Sequence, residues 1–442
     1  MGKQINIALA ALILAITTLT GCAEQKQEQP NIIIIMADDL GYGDLSCYGS
    51  AFINTPNLDN MAREGMKFTD FHSNGPVCSP TRAALRTGKY QQRVGIDGVV
   101  TAKHHRDKGL ATSEKTFAES VKEAGYVTGM FGKWHVGYQK EFNPINQGFD
   151  EYIGYVAGNV DYHSHIDQAG YEDWWYGDTI KNEKGYSTDL ITKHSIDFIK
   201  RHKDEPFLLY VPHEAPHGPY QGRNSKAERT IGWQNGAKQK VDMSDEELQA
   251  LYKEMVEVMD EGIGKIIATL KELNLDKKTF VFFCSDNGAS RKIGSNGGLK
   301  GYKSNLWEGG HRVSAIAWYP GKIAPGQVND QTILTMDLYP TIMDLVGVKK
   351  TEGLDGISAK DHIIAGKELP ERDLFWGYIG RKAIRQGDWK LILRSKTAKP
   401  LLYNLKDDIQ ENNNVADQHP EMVAAMLEKL NAWEKDVNQS LK

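Results

Sequence analysis

Three unbroken runs of apolar residues constrain the fold of this chain more than any other feature. They are Asn31–Met36 (NIIIIM), Phe207–Val211 (FLLYV) and Thr279–Cys284 (TFVFFC). A strand with one face in solvent alternates polar and apolar residues, so runs without alternation predict strands that are buried on both faces of a sheet. Helical patterns separate these runs, at 57–65, 113–125, 188–202 and 244–273. Strands that alternate with helices predict an α/β sandwich built on a large, mostly parallel central sheet.

The pattern changes near residue 365. Short strands are predicted beyond it, at Leu374–Tyr378, Lys382–Ile384, Trp389–Leu393 and Pro400–Tyr403, followed by a helix at Pro420–Val437. Short strands joined by tight turns favour an antiparallel arrangement. Because 442 residues can form more than one core, we predict a main, catalytic domain at 31–365 and a small C-terminal subdomain of antiparallel sheet and helix at 366–442.

The first 22 residues have the pattern of an export signal. Lys3 precedes the apolar stretch Ile5–Leu19, which is too short to span a bilayer. The stretch ends in Leu19–Cys22 (LTGC), which resembles a bacterial lipobox and implies that Cys22 becomes a lipidated N-terminus. We therefore predict a lipoprotein signal peptide at 1–22 and a tether at 23–30, with plain secretion as the alternative. The protein would be exported to the periplasm or outer membrane of a Gram-negative bacterium, touching the membrane only through its lipid anchor.

Charge and cysteine content argue against a nucleic-acid-binding protein and against a disulfide-stabilised scaffold. The formal net charge is −5 and both signs are mixed along the chain, so nothing indicates a nucleic-acid partner. The four cysteines are too few for a disulfide scaffold in a chain of this length.

Acidic and amide side chains follow two of the predicted strands. Asp38 and Asp39 come directly after the first apolar run, and Asp286 and Asn287 follow the third. In open α/β sheets, ligands bind outside the carboxyl ends of the strands. All four side chains offer hard oxygen donors without an accompanying thiolate–histidine cluster, so they suit Ca²⁺ or Mg²⁺ better than zinc.

The segment around Cys78 combines a possible nucleophile with an anion site. Pro80 suits the first turn of a helix, which places Cys78 at the helix N-terminus, where free N–H groups and the helix dipole favour an anion. Arg82 lies one turn further on the same side and can hold a charged oxygen. A buried structural cysteine is the alternative interpretation of this segment alone.

Basic side chains occur in three further motifs. Lys133 and His135 lie two residues apart, and we expect them on the same side of an extended segment. His217 follows the second apolar run, and Lys303 lies in a glycine-rich loop. Each of these alone would most often be an ordinary surface or hydrogen-bonded residue.

Taken together, these motifs resemble those of the type I sulfatases. The matching segments are Ala37–Gly41 (ADDLG), Cys78–Arg82 (CSPTR), Gly132–His135 (GKWH) and Ser285–Gly288 (SDNG). The resemblance implies an alkaline-phosphatase-like fold and a Cys78 that a maturing enzyme oxidises to formylglycine. It also implies a calcium ion, with Mg²⁺ possible, bound by Asp38, Asp39, Asp286 and Asn287 and contacting the modified residue 78.

The resemblance further implies a double-displacement reaction on a sulfate ester. Hydrated formylglycine would attack sulfur, with Asp286 accepting its proton and Arg82 holding it in place. His217, helped by Lys303, would protonate the departing oxygen. His135, near Lys133, would then remove the proton of the second hydroxyl so that sulfate leaves. His213 has only a supporting role in this hypothesis.

The composition of the region 148–176 suggests the class of substrate. Polar side chains interleaved with aromatic rings suit a sugar, and the segment resembles that of sulfatases that act on carbohydrates. The candidate sugar contacts are Asn159, Asp161, His163, His165 and Asp167. A carrageenan-type galactan is the leading substrate, with ulvan, fucan and glycosaminoglycans left open; loop packing is the alternative role for the aromatic residues.

Two other functions fit parts of this pattern. A phosphomonoester or phosphonate hydrolase of the same superfamily could use much of the constellation, because sulfate and phosphate are both tetrahedral. A non-catalytic glycan-binding lipoprotein could keep the fold, although binding alone requires no nucleophile with an acid and a base.

Overall fold

The computed structural model describes residues 29–235, 243–348 and 352–439. Its strands alternate with helices along most of the chain. The strands are β1 Asn31–Ala37, β2 Met66–Phe68, β3 Phe71–His72, β4 Val127–Lys133, β5 Glu151–Tyr155, β6 Trp175–Tyr176, β7 Thr179–Ile180, β8 Phe207–Pro212, β9 Thr279–Ser285, β10 Ala315–Trp318, β11 Gln327–Asn329, β12 Ile333–Leu334, β13 Asp373–Tyr378, β14 Arg381–Gln386, β15 Trp389–Leu393 and β16 Leu401–Asn404.

The α-helices cover both faces of the main sheet and the C-terminal end of the chain. They are α1 Pro56–Glu64, α2 Cys78–Thr87, α3 Phe117–Glu123, α4 Ser187–Arg201, α5 Asp245–Glu272, α6 Glu308–His311, α7 Leu338–Val346, α8 Lys360–Ala365 and α9 Pro420–Gln439. Short 3₁₀ turns lie at Ser46–Tyr48, Lys140–Phe142, Pro144–Gln147, Asp276–Lys278, Thr335–Asp337 and Ala416–Gln418.

The three apolar runs are the adjacent central strands of a large sheet. Its described strands follow the order β11-β2-β10-β9-β1-β8-β4-β5-β6-β7. Strand β1 pairs in parallel with β8 on one side and with β9 on the other, and β8 pairs in parallel with β4. Antiparallel pairing occurs nearer the edges, at β10, β6 and β7. The predicted α/β sandwich with a mostly parallel sheet is therefore confirmed.

Side chains of β1 contribute alternately to two apolar cores. Ile32 and Ile34 pack in a cluster with α2, α3 and α7, whereas Ile33 and Ile35 pack in a second cluster with α1, α4 and α5. All four are fully buried, and each is worth about 1.5–3 kcal/mol relative to an exposed side chain. Because both faces of β1 are apolar, its hydrophobic pattern does not define the register. The two acidic residues after Ala37 instead mark where the strand leaves the core.

The C-terminal region forms the predicted antiparallel sheet with a helix against it. Its strand order is β13-β14-β15-β16, and α9 supplies the fully buried Met426 and Leu430 to the shared core. Val77 and Ala84 also belong to this apolar cluster. The small sheet therefore packs against the segment that begins the Cys78 helix.

Several predicted helix boundaries differ from those observed. The largest difference is at 113–125, where α3 begins only at Phe117 because Thr116 caps it: the Thr116 hydroxyl accepts from the Glu119 N–H while Glu119 bonds back to Thr116. The predicted signal peptide, Cys22 and most of the tether lie outside the described residues. In the part of the chain that the structure describes, we find no helix with the length and apolar character needed to cross a membrane.

Candidate active site

The polar ends of four parallel strands meet at one edge of the sheet. Strands β1, β9 and β8 end directly before Asp38, Asp286 and His213, and β4 ends at Lys133. Parallel strands place their carboxyl ends on the same side, so residues more than 240 positions apart come together: the Asp39 N–H donates to Asp286 Oδ1 at 3.2 Å. The expected convergence at the strand ends is observed.

Cys78 lies in this cluster with the acidic residues. A sulfur or carboxylate oxygen from each of Cys78, Asp38 and Asp286 lies within 4.8 Å of the other two. Asp38 is fully buried and Cys78 is 2% exposed. The backbone of α2 begins at Cys78, with Pro80 in its first turn, as predicted.

The oxygen atoms of the cluster fit a hard divalent cation. Asn287 donates through Nδ2 to Asp39 Oδ1 at 2.7 Å, which leaves its own Oδ1 as an acceptor. Asn287 Oδ1 and Asp38 Oδ1 are both buried and have no hydrogen-bond partner among the described residues. Buried acceptors without a donor are costly, and Ca²⁺ coordinates carboxylate and amide oxygens of this kind. Asp38, Asp39, Asp286 and Asn287 could therefore hold such an ion.

Three cationic side chains surround the same carboxylates. Arg82 donates through Nε and Nη2 to Asp286 Oδ2 at 3.0 and 2.7 Å. Lys133 pairs with Asp38. Lys303 pairs with Asp39, with its Nζ 2.7 Å from Oδ1. The site thus presents several fixed cationic donors within a largely dry environment, which suits binding of a tetrahedral anion.

The surroundings shift the pKa values of Asp286 and Asp39 in opposite directions. Burial, followed by the charge of Asp38, raises the pKa of Asp286 to about 6. Burial would also raise the pKa of Asp39, but the charges of Lys303 and His217 outweigh it and hold that pKa well below its usual range. Burial raises the pKa of the Cys78 thiol, so an unmodified cysteine here would be protonated and weakly nucleophilic.

His135 is oriented as a proton acceptor. Its Nε2–H donates to Val100 O at 3.1 Å, while Nδ1 is buried without a described partner. Burial, then the charge of Lys133, lowers its pKa well below the usual value and keeps the ring neutral. The prediction of an extended backbone is wrong here, because His135 has a φ of 58°. The turn brings the imidazole against Gly158, where an added Cβ would lie 2.7 Å from Nε2.

His217 and His213 occupy different positions in the site. His217 donates through Nδ1 to Gly218 O at 2.6 Å, and its Nε2 lies 3.7 Å from Asp39 Oδ2. His213 follows β8 and is fully buried, and neither of its ring nitrogens bonds to a described residue. Burial lowers the pKa of His213 to about 4, so the ring is neutral and keeps hydrogen-bonding capacity for a ligand.

Most of the expected sugar contacts have other partners. The fully buried Asp161 carboxylate accepts hydrogen bonds from the backbone N–H groups of residues 163, 164, 228 and 229. Asp167 accepts from residues 169 and 171. His165 is 2% exposed and stacks on Trp174 at 4.4 Å between ring centroids.

These contacts assign Asp161, His165 and Asp167 to loop structure, which corrects the expectation of direct sugar binding. Some of the donors are neighbours in the sequence, but the backbone N–H groups of Glu228 and Arg229 on Asp161 and the Arg106 side chain on Asp167 come from segments that are adjacent only in the folded chain. His163 bonds through Nε2 to Gly222 O at 3.0 Å. Of the five predicted sugar contacts, Asn159 is the one whose described contacts reach the active-site histidines, with its Nδ2 3.5 Å from His217 Nδ1.

The structure adds residues that the sequence patterns did not identify. Ser290 Oγ donates to Asp39 Oδ2 at 2.8 Å. Arg86, fully buried in α2, donates to Arg82 O and Trp134 O and lies 4.1 Å over the Trp134 ring. The one sequence feature that could have identified Arg86 is its position in an apolar face of the helix. No feature of the sequence pattern points to Ser290.

Comparison with known proteins agrees with this geometry. The sequence model of the family described as Sulfatase matches residues 30–348, and that described as N-sulphoglucosamine sulphohydrolase, C-terminal, matches 302–436. The N-acetylgalactosamine-6-sulfatase of Mus musculus is 35% identical over 416 residues, covering 87% of this chain and 75% of that protein. Arylsulfatase A of Homo sapiens is 31% identical, covering 90% and 86%.

A solved structure shares the whole fold. Ps i-CgsB is 30% identical, with a TM-score of 0.83 over 93% of this chain and 94% of its own. A second structure of Ps i-CgsB, in complex with k-i-k-neocarrahexaose, gives 29% identity, a TM-score of 0.82 and the same coverage. With the Sulfatase model spanning most of the chain and a curated relative at 35% identity, this protein belongs to the sulfatase family of enzymes that hydrolyse sulfate esters.

Proposed function

We propose that this sulfatase removes sulfate from a sulfated polysaccharide or its oligosaccharides, using formylglycine at position 78 and a bound calcium ion. The observation that carries the proposal is the meeting of Cys78, Asp38 and Asp286 within 4.8 Å of one another, beside two buried acceptor oxygens that lack donors. Sulfatases generally use a formylglycine and a divalent metal, and this donor set accommodates both.

Formylglycine and the cation would each supply one part of the chemistry. Formylglycine would supply a hydrated aldehyde oxygen as the nucleophile, which the protonated thiol of a buried cysteine does not offer. The cation, Ca²⁺ or alternatively Mg²⁺, would be held by Asp38, Asp39, Asp286 and Asn287 and would polarise the sulfuryl oxygens.

The cationic side chains bind and orient the ester. Lys133 pairs with Asp38 and Lys303 pairs with Asp39, so both hold a fixed positive charge beside the carboxylates of the site and can contact a bound sulfate group. Negative charge grows on the leaving oxygen as the S–O bond breaks, and donors already in place stabilise it without reorganisation. Arg82 is fully buried and clamps Asp286, which fixes the proton acceptor beside residue 78.

Two histidines move protons at defined atoms. His135 presents the lone pair of Nδ1, because its Nε2 proton is committed to Val100 O, so it can remove a proton from a group at residue 78. His217 presents Nε2 on the side of Asp39, next to Lys303. When His217 is protonated at Nε2, it and Lys303 can both donate to the departing sugar oxygen.

A carbohydrate substrate is supported by the relatives. One is named for a sulfated amino sugar, N-acetylgalactosamine-6-sulfate, and another was solved with k-i-k-neocarrahexaose, a carrageenan-type oligosaccharide by its name. A carrageenan-type galactan is therefore our first candidate. Export and a lipid anchor at Cys22 would place the enzyme in the periplasm or outer membrane, where such polymers or their fragments arrive, and a formylglycine-generating maturase would be its partner.

The test uses the full chain matured in a host that has this maturase. Intact mass of the peptide containing residue 78 reports the conversion, and release of inorganic sulfate is measured on defined carrageenan, ulvan, fucan and glycosaminoglycan oligosaccharides. We expect release from at least one saccharide and none from the Cys78→Ala control. Preferential hydrolysis of aryl phosphate over aryl sulfate, or saccharide binding without sulfate release, would contradict the proposal.

The lipid anchor has its own test. Expression with labelled palmitate should label the wild-type protein, and Cys22→Ala should abolish the label and release the protein from the membrane fraction. An unlabelled, soluble wild-type protein would leave plain secretion as the correct interpretation.

A further inference from the structure

Two loops contact residues of the proposed reaction centre. The loop 99–110 begins against the nucleophile: the Val100 N–H donates to Ser79 Oγ at 3.1 Å, and Val100 O accepts from His135 Nε2 at 3.1 Å. Ser79 is the neighbour of Cys78. The first residues of this loop therefore form part of the wall beside residue 78 and His135.

The loop 157–173 contacts the other histidine of the site. Asn159 Nδ2 lies 3.5 Å from His217 Nδ1, and the Tyr162 hydroxyl donates to His217 O at 2.9 Å. His217 is the proposed donor to the leaving group. One loop therefore contacts the proposed nucleophile segment and His135, and the other contacts His217, the proposed donor to the leaving group.

One arginine joins these loops. Arg106 donates to Asp167 Oδ2 at 3.0 Å, and its guanidinium lies 4.2 Å over the ring of Tyr171 and 5.1 Å from that of Tyr138. Asp167 in turn accepts from the Tyr171 N–H at 2.9 Å. The Asp167 side chain is buried, whereas the Arg106 side chain is partly exposed. Together they fix Tyr171, because Asp167 binds its backbone N–H and Arg106 lies over its ring.

The ring of Tyr171 is nevertheless open to solvent. Its residue exposure is 55%, and Ile231, at 72%, is carried beside it by the Gly232 N–H bond to Gly170 O. An aromatic ring fixed in orientation but uncovered on one side suits the C–H face of a sugar. A ring already held in place also loses little conformational entropy when a ligand stacks on it.

We infer that Tyr171, positioned by Arg106 and Asp167, is a stacking platform for a sugar unit of the substrate and makes this enzyme specific for saccharide over small aryl sulfates. The inference rests on the proposed function and deepens it. It also gives Asp167 a role, since the carboxylate positions the ring that contacts the sugar.

The experiment compares substrates in three variants of the matured full chain. Tyr171→Ala should raise KM for a sulfated oligosaccharide about tenfold more than KM for 4-nitrophenyl sulfate, which has no sugar to stack. Tyr171→Phe should restore most of the affinity because it keeps the ring. Phe52→Ala is the matched control: Phe52 is 53% exposed and lies under Lys253, but belongs to neither loop.

Arg106→Met tests the positioning contact, and we expect the same substrate-dependent rise in KM with a smaller effect on kcat. Equal losses on both substrates, or no loss on the oligosaccharide, would overturn the inference. A direct binding assay separates this outcome from failure of the proposed function: Cys78→Ala protein with and without Tyr171→Ala is titrated with the oligosaccharide. Weaker binding without Tyr171 supports the platform whether or not sulfate is released, and equal binding refutes it.

Discussion

A lysine in the C-terminal subdomain, Lys390, should stabilise the whole fold through a buried ionic cluster. Its Nζ lies 2.7 Å from Glu308 Oε1 and 3.0 Å from Glu411 Oε1, and the Lys390, Glu308 and Glu411 side chains are all inaccessible to solvent. Glu308 begins α6, directly after the loop that carries Lys303. The cluster therefore connects the small sheet to the loop that supplies a cation to the active site.

Replacing Lys390 by methionine removes the charged ammonium group and keeps an unbranched apolar side chain that is one atom shorter. Breaking a buried pair by removing one partner costs about 3–5 kcal/mol, because the other charge is left uncompensated. Glu308 keeps Arg312 as a partner at 3.0 Å, and Glu411 can bind a proton. We therefore expect a loss at the lower end of that range, about 3 kcal/mol, near pH 8.

The loss should depend on pH in a defined direction. Burial raises the pKa of Glu411 to about 7, against the opposing charge of Lys390, so its contribution to stability is present at acidic pH and is lost as the pH rises through 7. Without Lys390 this pKa rises further. Lys390→Met should therefore lose more stability between about pH 5.5 and about pH 8 than the wild type does.

Urea unfolding followed by tryptophan fluorescence at both pH values measures the effect. Lys396→Met is the matched control, because Lys396 is exposed between β15 and β16 and forms no ion pair with the described residues. Adding Glu411→Gln to Lys390→Met should recover part of the loss near pH 8. The reasoning is refuted if Lys390→Met unfolds at the same urea concentration as Lys396→Met at both pH values.

Four further results follow from the site and its surroundings. Cys78→Ser should keep the wild-type melting temperature and circular dichroism spectrum but lose sulfate release; full turnover in this variant would contradict the assigned nucleophile. Lys303→Ala should lower kcat by roughly 10²–10³-fold, as for removal of a fixed transition-state donor, and an unchanged kcat would exclude it from the reaction. A chelator should lower the melting temperature by leaving the carboxylates of the cluster to repel one another, and added Ca²⁺ should restore it; a melting temperature indifferent to both would argue against a resident ion. Burial, followed by the charge of Asp167, raises the pKa of Asp173 to about 7, so this group favours the folded state at acidic pH and that contribution disappears as the pH rises through 7; Asp173→Asn should reduce the difference in unfolding free energy between about pH 5 and about pH 8 by on the order of 2–3 kcal/mol, and an identical pH profile would contradict this.

The sheet and the chemical core of the site could be predicted because each depends on a short local pattern. A short apolar run without alternation predicts a strand covered on both faces, and the polar residues that follow such a strand are expected at the edge of the sheet. That is why Asp39 and Asp286, 247 positions apart, could be expected to meet, as they do. The start of the helix at Cys78 could also be predicted from a local pattern, since a proline within a helix is tolerated in its first turn and Pro80 lies there.

The loops around the site could not be predicted in the same way. Asp161 and Asp167 look like sugar ligands in the sequence, but their carboxylates are occupied by backbone N–H groups and by Arg106. The left-handed turn at His135 replaced the extended segment that its spacing suggested. These features have no periodic signal. Asp161 and Asp167 each also bond to a distant segment, and the His135 ring lies against Gly158.

From the sequence we could predict the layered sheet, the acidic and basic residues at its strand ends and the cysteine at a helix start, since apolar periodicity and strand-end position are properties of neighbouring residues. Which polar side chains line the active site, and which are engaged in holding the loops, depends on contacts between distant segments that form only in the folded chain. A buried polar group must find a partner, and here Asp161 accepts from the Glu228 N–H, 67 residues away along the chain, while Arg106 donates to Asp167, 61 residues away.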